Sequence, residues 1–101
     1  MDTLVERIVG DIVSAVHPKR IILFGSRARG NAAPESDVDL VVVYDGPRSK
    51  RDVQLEIRRL FAHPGFSMDL FVMTSEELEA ARTTANTLAR EVAEHGVAYY
   101  G

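Results

Sequence analysis

The chain has 101 residues, of which 46% are apolar and 27% are charged, and its formal net charge at pH 7 is −3. This composition predicts one small globular domain over residues 1–101. The absence of cysteine excludes disulfides and thiolate chemistry. The longest apolar run, residues 40–44, is too short to cross a bilayer, and charges interrupt the apolar N-terminal residues. We therefore expect a cytoplasmic protein with no signal peptide and no membrane contact.

The charge is unevenly distributed along the chain. Residues 19–59 contain nine basic and six acidic side chains, whereas the remainder is acidic. A locally positive middle segment can receive phosphates, although a solvated mixed surface has the same composition. The net acidity argues against direct nucleic-acid binding.

Apolar periodicity defines the first half of the chain. Helical spacing from Leu4 to Val16 predicts a helix that Pro18 ends. Residues 21–24 and 38–44 are short apolar runs, which predict two strands covered on both faces. Between them, residues 25–30 can wind one or two helical turns.

The second half of the chain also alternates between predicted helices and predicted strands. Spacing from Val53 to Phe61 predicts a helix, and residues 68–73 predict a third strand. Thr74 and Glu77 have the spacing of a helix capping box. A last helix runs from Ala85 through Val92 to Gly96, where we expect glycine in the left-handed conformation, and residues 97–100 close as an edge strand. The order predicts an α/β fold with a small mixed sheet of three to four strands flanked by helices.

Two short motifs follow or begin the predicted strands. Gly25 and Ser26 come directly after the first strand, where free N–H groups, a close backbone approach and a hydroxyl suit a phosphate. Asp37 and Asp39 begin the second strand on one face, about 6.5 to 7 Å apart, which suits hard divalent cations. Each motif alone also fits a capped glycine turn or a solvated acidic turn.

Asp69 is an acidic residue within the otherwise apolar third strand. A buried carboxylate is costly unless it is paired, hydrogen-bonded or metal-bound. If the third strand lies beside the second, Asp69 joins Asp37 and Asp39 at one end of the sheet. Mutual repulsion then raises their pKa values and destabilises the metal-free fold.

These motifs together resemble a known family. The run Gly25-Ser26-Arg27-Ala28-Arg29-Gly30, followed after five residues by Ser36-Asp37-Val38-Asp39-Leu40, resembles the signature of minimal nucleotidyltransferases of the DNA polymerase beta superfamily. The resemblance covers nearly the whole chain and implies the polymerase beta-like palm fold.

The resemblance implies a role for each motif residue. Gly25 and Ser26 grip the β and γ phosphates of ATP, and Arg27 and Arg29 assist them, although two arginines on a short helix also fit a solvated face.

For the acidic residues, the resemblance implies a magnesium site. Asp37 and Asp39 become ligands of Mg²⁺, with two ions expected. Asp69 completes the metal site and helps to deprotonate the acceptor hydroxyl, and the sequence does not separate these two roles.

From a chain of this length we expect no acceptor-binding domain. Family members of this size resemble antitoxins whose partner is an all-helical HEPN ribonuclease toxin, and such antitoxins transfer AMP from ATP to a tyrosine of the toxin. The resemblance implies the same function here. Two alternatives stay open: a module that neutralises its partner by contact alone, and a transferase subunit for small-molecule or RNA acceptors. The intact set of acidic residues favours catalysis, because a pure binder gains nothing from clustered like charges.

Overall fold

In the computed structural model of the chain, which describes residues 2–30, 37–62, 65–83 and 87–101, a four-stranded sheet lies between two pairs of helices. Ser36 and Ala85 of the sequence predictions fall outside these described residues. The elements in chain order are α1 (Thr3–Val16), β1 (Arg20–Phe24), β2 (Val38–Val43), α2 (Lys50–Leu60), β3 (Met68–Met73), α3 (Ser75–Arg82), α4 (Thr87–His95) and β4 (Val97–Tyr100).

Helix α1 is stabilised by an N-cap and by a buried apolar face, both of which are encoded in its sequence. Asp2 caps its first turn by accepting hydrogen bonds from the N–H groups of Leu4, at 3.1 Å, and Val5. Its apolar positions face the core and are buried, and the helix ends where His17 adopts a left-handed conformation with φ 51°. The predicted capping box of Thr74 and α3 is also present.

The strand order is β3-β2-β1-β4, with β1 antiparallel to both of its neighbours and β2 parallel to β3. Side chains alternate between two apolar clusters. Helices α1 and α2 cover one face of the sheet and contribute to the larger cluster, whereas α3 and α4 cover part of the other face. The central strands β1 and β2 are therefore covered on both faces, as predicted, and β4 is an edge strand, as predicted. Within the described residues, no helix has the length and apolarity needed to cross a membrane.

Residues 25–30, hereafter the glycine turn, wind a single helical turn, within the predicted range. The Gly25 carbonyl accepts from the N–H groups of Ala28 at 3.1 Å and Arg29 at 3.2 Å. Glycines with φ of +77° and +78° bound this turn, and their left-handed conformation limits it at both ends.

Gly96 does not adopt the left-handed conformation that we expected at the end of α4. Its N–H donates to the Val92 carbonyl at 3.0 Å. A Cβ atom at this position would lie 2.4 Å from that carbonyl oxygen and 2.9 Å from Cγ2 of Ile22. Glycine is required here because an added side chain would meet the backbone of α4 and, less tightly, Ile22 of β1.

Candidate active site

The parallel register of β2 and β3 places two acidic side chains side by side. Asp39 is the second residue of β2 and pairs directly with Asp69, the second residue of β3. Val38 and Leu40 point into the core cluster beneath α1 and α2, so Asp39 faces the opposite side of the sheet, as predicted. Both carboxyl groups therefore lie at the end of the sheet where β2 and β3 begin.

Asp39 has an unusual electrostatic environment. Burial is the largest cause that raises its pKa to about 6, followed by a side-chain hydrogen bond with Asp69 and by the charges of Asp69, Asp37 and Glu91. Two carboxyl groups can share a hydrogen bond only when one of them holds a proton. These four carboxyl groups are hereafter called the acidic cluster, and within it a negative charge on Asp39 is disfavoured.

Asp69 is exposed, which corrects the expectation of a buried acid in an apolar strand. The physical reason is that β3 is the other edge strand of the sheet. The neighbouring Phe71 on the same face is also 40% exposed, and its ring lies 5.9 Å from that of Phe24. Asp69 can therefore be reached from solvent.

The glycine turn lies directly against the acidic cluster. A Cβ atom on Gly25 would be 2.2 Å from Oδ2 of Asp39, which is closer than any side chain tolerates. Gly25 is thus required both for its positive φ and for this contact. Ser26, the next residue, is half-buried, and within the described part of the chain its hydroxyl has no hydrogen-bond partner.

The two arginines of the glycine turn point to different places. Nη1 of Arg27 lies 2.5 Å from Oδ2 of Asp2, and only 8% of the Arg27 side chain is exposed. This pair links the turn to the start of α1. Arg29 instead donates from Nη1 to both carboxylate oxygens of Glu91, each at 2.8 Å. Participation of either arginine in phosphate binding stays a prediction.

The acidic residues fit a divalent cation by their chemistry. Asp39 and Asp69 supply adjacent carboxyl oxygens, and Asp37 is exposed immediately before β2. Oxygen donors of this kind are the ligands that Mg²⁺ prefers. In the part of the chain that the structure describes, no three His, Asp or Glu side chains are already arranged around one point as metal ligands. The structure brings Asp39 and Asp69 together, and the placement of Asp37 as a third ligand stays a prediction.

Sequence analysis missed Glu91. It lies in α4, far from both motifs along the chain, and it reaches the acidic cluster only because α4 packs beside β1. In α4, Glu91 lies three residues after Leu88, which packs against the apolar cluster, so the two side chains share one side of the helix. That spacing was the available signal.

The comparisons with known proteins establish the family of the chain. Residues 5–98 match the family model described as "Nucleotidyltransferase domain", so the chain belongs to this family. A curated relative, "Protein adenylyltransferase MntA" of Aphanizomenon flos-aquae (strain 2012/KM1/D3), is 31% identical over 84 residues. That match covers 81% of this chain and 56% of the relative, so the chain spans little more than half of its length.

Solved structures match the fold. A protein from Sulfolobus solfataricus, described as a candidate nucleotidyltransferase, matches with a TM-score of 0.63 and 23% identity, over 94% of this chain and 75% of that one. A toxin–antitoxin structure with AMP-PNP matches with a TM-score of 0.59 and 20% identity, over 95% and 73% of the two chains. The toxin–antitoxin MntA-HepT matches with a TM-score of 0.54 and 18% identity, over 99% and 73%. The predicted nucleotidyltransferase fold is confirmed.

Proposed function

We propose that this domain is a Mg²⁺-dependent nucleotidyltransferase that moves AMP from ATP to a hydroxyl group of a partner protein. The observation that carries the proposal is the in-register pair of Asp39 and Asp69, of which Asp39 lies directly against Gly25 of the glycine turn. Family membership and a relative named as a protein adenylyltransferase support it.

The glycine turn is suited to hold the phosphates of ATP. Gly25 has no side chain, so the backbone can approach a phosphate closely, and the N–H and hydroxyl groups of Ser26 can donate to its oxygens. The β and γ phosphates would lie here, which leaves the α phosphate beside the acidic cluster.

The acidic cluster is suited to hold the metal and to accept a proton. Asp37, Asp39 and Asp69 would provide the oxygen ligands for Mg²⁺, which would offset the charge of the triphosphate and favour in-line displacement. Asp69 is exposed, and with the α phosphate bound beside the acidic cluster it would take the proton of the acceptor hydroxyl. The acceptor oxygen then bonds to the α-phosphorus, and the bond to pyrophosphate breaks.

The partner that we propose is an all-helical HEPN ribonuclease toxin, with a tyrosine as the acceptor. The support is the family resemblance of the sequence, together with solved structures described as toxin–antitoxin complexes. This domain would then act as the antitoxin, and transfer of AMP would inactivate the toxin.

Intact-mass analysis of the partner tests the proposal. The protein encoded by the neighbouring reading frame is co-expressed with the parent chain, with Asp69→Asn or with Asp11→Asn, an exposed site on α1 that serves as the control. We expect the mass of AMP on the partner with the parent and with the control, and none with Asp69→Asn, because the amide cannot accept a proton or bind Mg²⁺ as a charged ligand.

Cell survival in the same cultures separates the alternatives. If Asp69→Asn abolishes AMP transfer but still protects cells as well as the parent does, neutralisation works by contact and the catalytic antitoxin proposal is wrong. If Asp69→Asn still transfers AMP, the role given to Asp69 is wrong.

A further inference from the structure

The contact between Arg29 and Glu91 has an uncommon geometry. Nη1 of Arg29 alone donates to both Glu91 oxygens, each at 2.8 Å, so the guanidinium meets the carboxylate end-on. A guanidinium has five N–H donors, and this contact uses only the two on Nη1. Within the described residues, the Nε and Nη2 donors of Arg29 have no partner.

Both partners are held in place by the fold. Arg29 closes the glycine turn through its own N–H, which donates to the Gly25 carbonyl at 3.2 Å. Glu91 precedes Val92, which packs against the apolar cluster between α4 and the sheet. The charge of Glu91 also reaches Asp39. One rim of the site is thus formed by Gly25, Arg29, Glu91 and Asp39. Arg29 is the positively charged residue of this rim.

We propose that Glu91 is a positioning residue that holds Arg29 at the rim of the glycine turn, so that the remaining guanidinium donors face the triphosphate of the bound nucleotide. This inference rests on the proposed function and extends it to a residue outside both sequence motifs. Glu91 does not touch the nucleotide and acts only through Arg29.

The end-on geometry favours a positioning role for Glu91 over competition between Glu91 and the phosphates of ATP. If Glu91 occupied the whole fork of the guanidinium, a phosphate would have to displace it, and Glu91 would compete with ATP. Because three donors stay available, Arg29 can bind Glu91 and a phosphate at the same time. Without Glu91, Arg29 has nothing to restrain its long side chain, and ordering it on binding lowers affinity.

Calorimetric titration of the folded chain with ATP and Mg²⁺ tests this role. We expect Glu91→Gln to weaken ATP binding about tenfold, the effect of losing one charge-assisted hydrogen bond at a partly exposed site. Glu94→Gln is the matched control, because Glu94 lies on the same helix, is 59% exposed and is 3.9 Å from Arg90, away from the site. We expect the control to bind ATP as the parent does.

A double-variant cycle identifies the route of the effect. If Glu91 acts through Arg29, then Arg29→Gln alone weakens binding, and adding Glu91→Gln to it causes no further loss. A loss that persists in the Arg29→Gln background would instead show that Glu91 supports the fold, and it would overturn the inference.

Two further outcomes of the ATP titration would overturn the role proposed for Glu91. Unchanged or tighter ATP binding by Glu91→Gln, with the parent binding normally, would overturn the inference and leave the proposed function intact. If the parent itself bound no ATP with Mg²⁺, the proposed function would fail first, and the inference would fail with it.

Discussion

The raised pKa of Asp39 predicts that Asp39→Asn stabilises the metal-free protein at neutral and alkaline pH. The folded state holds the Asp39 proton up to about pH 6, whereas the unfolded chain releases it near pH 3.8. Between these values the folded state binds more protons, so stability falls as pH rises. Below pH 3.8 both states are protonated and the penalty vanishes, and above pH 6 the penalty is complete. Asparagine carries no charge and removes the penalty at every pH.

The size of the effect follows from the difference between the two pKa values. A difference of about two pH units corresponds to a ceiling of ~3 kcal/mol. Asp39 is only partly buried, so solvent screens its interactions, and we expect about 1 to 2 kcal/mol at pH 8. For a domain of this size, that corresponds to an increase in Tm of roughly 5 to 10 °C.

Thermal unfolding in the presence of a metal chelator, at pH 4 and pH 8, checks this expectation. Asp39→Asn should melt higher than the parent at pH 8, and its advantage should shrink at pH 4. The control Asp11→Asn changes an exposed aspartate on α1 and should show no comparable gain. Addition of Mg²⁺ should raise the Tm of the parent more than that of Asp39→Asn. An Asp39→Asn protein less stable than the parent at pH 8 would refute the argument that the charge on Asp39 destabilises the metal-free fold.

Three further substitutions, with Gly30→Ala as a control, test the packing around the site by thermal unfolding. Gly25→Ala should cost about 2 to 4 kcal/mol and abolish ATP binding, because its Cβ would overlap Asp39. Gly30 also has a positive φ, of +78°, but within the described residues nothing lies within 4 Å of an added Cβ, so Gly30→Ala should cost only about 1 kcal/mol. Equal costs would contradict the overlap. Gly96→Ala should cost about 1 to 3 kcal/mol, because its Cβ would overlap the Val92 carbonyl oxygen and Ile22, and a neutral result would contradict this overlap. Asp2→Ala should cost about 1 to 3 kcal/mol, since it removes the N-cap of α1 and an ion pair to the glycine turn, and no change in Tm would contradict both roles.

Local sequence signals predicted most of the elements, including the cap that begins α3, but not how α4 ends. The periodicity of α1 and the capping box at Thr74 depend on neighbouring residues, and both are confirmed. The close packing of Gly96 against Ile22 of β1 is a contact between distant parts of the chain, and no local signal encodes it. Glu91 was missed for the same reason, because its place beside the site is set by helix packing rather than by a motif.

The topology explains why the site forms where it does. Strands β2 and β3 each carry an aspartate in second position, within the runs Val38–Val43 and Met68–Met73. A parallel pair of strands needs a crossover connection, which α2 supplies, so β2 and β3 begin at the same end of the sheet. Strand β1 runs antiparallel to β2 and finishes at that end, which brings the glycine turn to the two aspartates. Because side chains alternate along a strand, a shift of β3 by one residue would turn Asp69 to the opposite face of the sheet. The geometry of the candidate site is therefore fixed by the register of β2 and β3 and by the direction of β1. The register in turn depends on the apolar neighbours of the two aspartates, because Val38, Leu40 and Leu70 pack into the core on the opposite face.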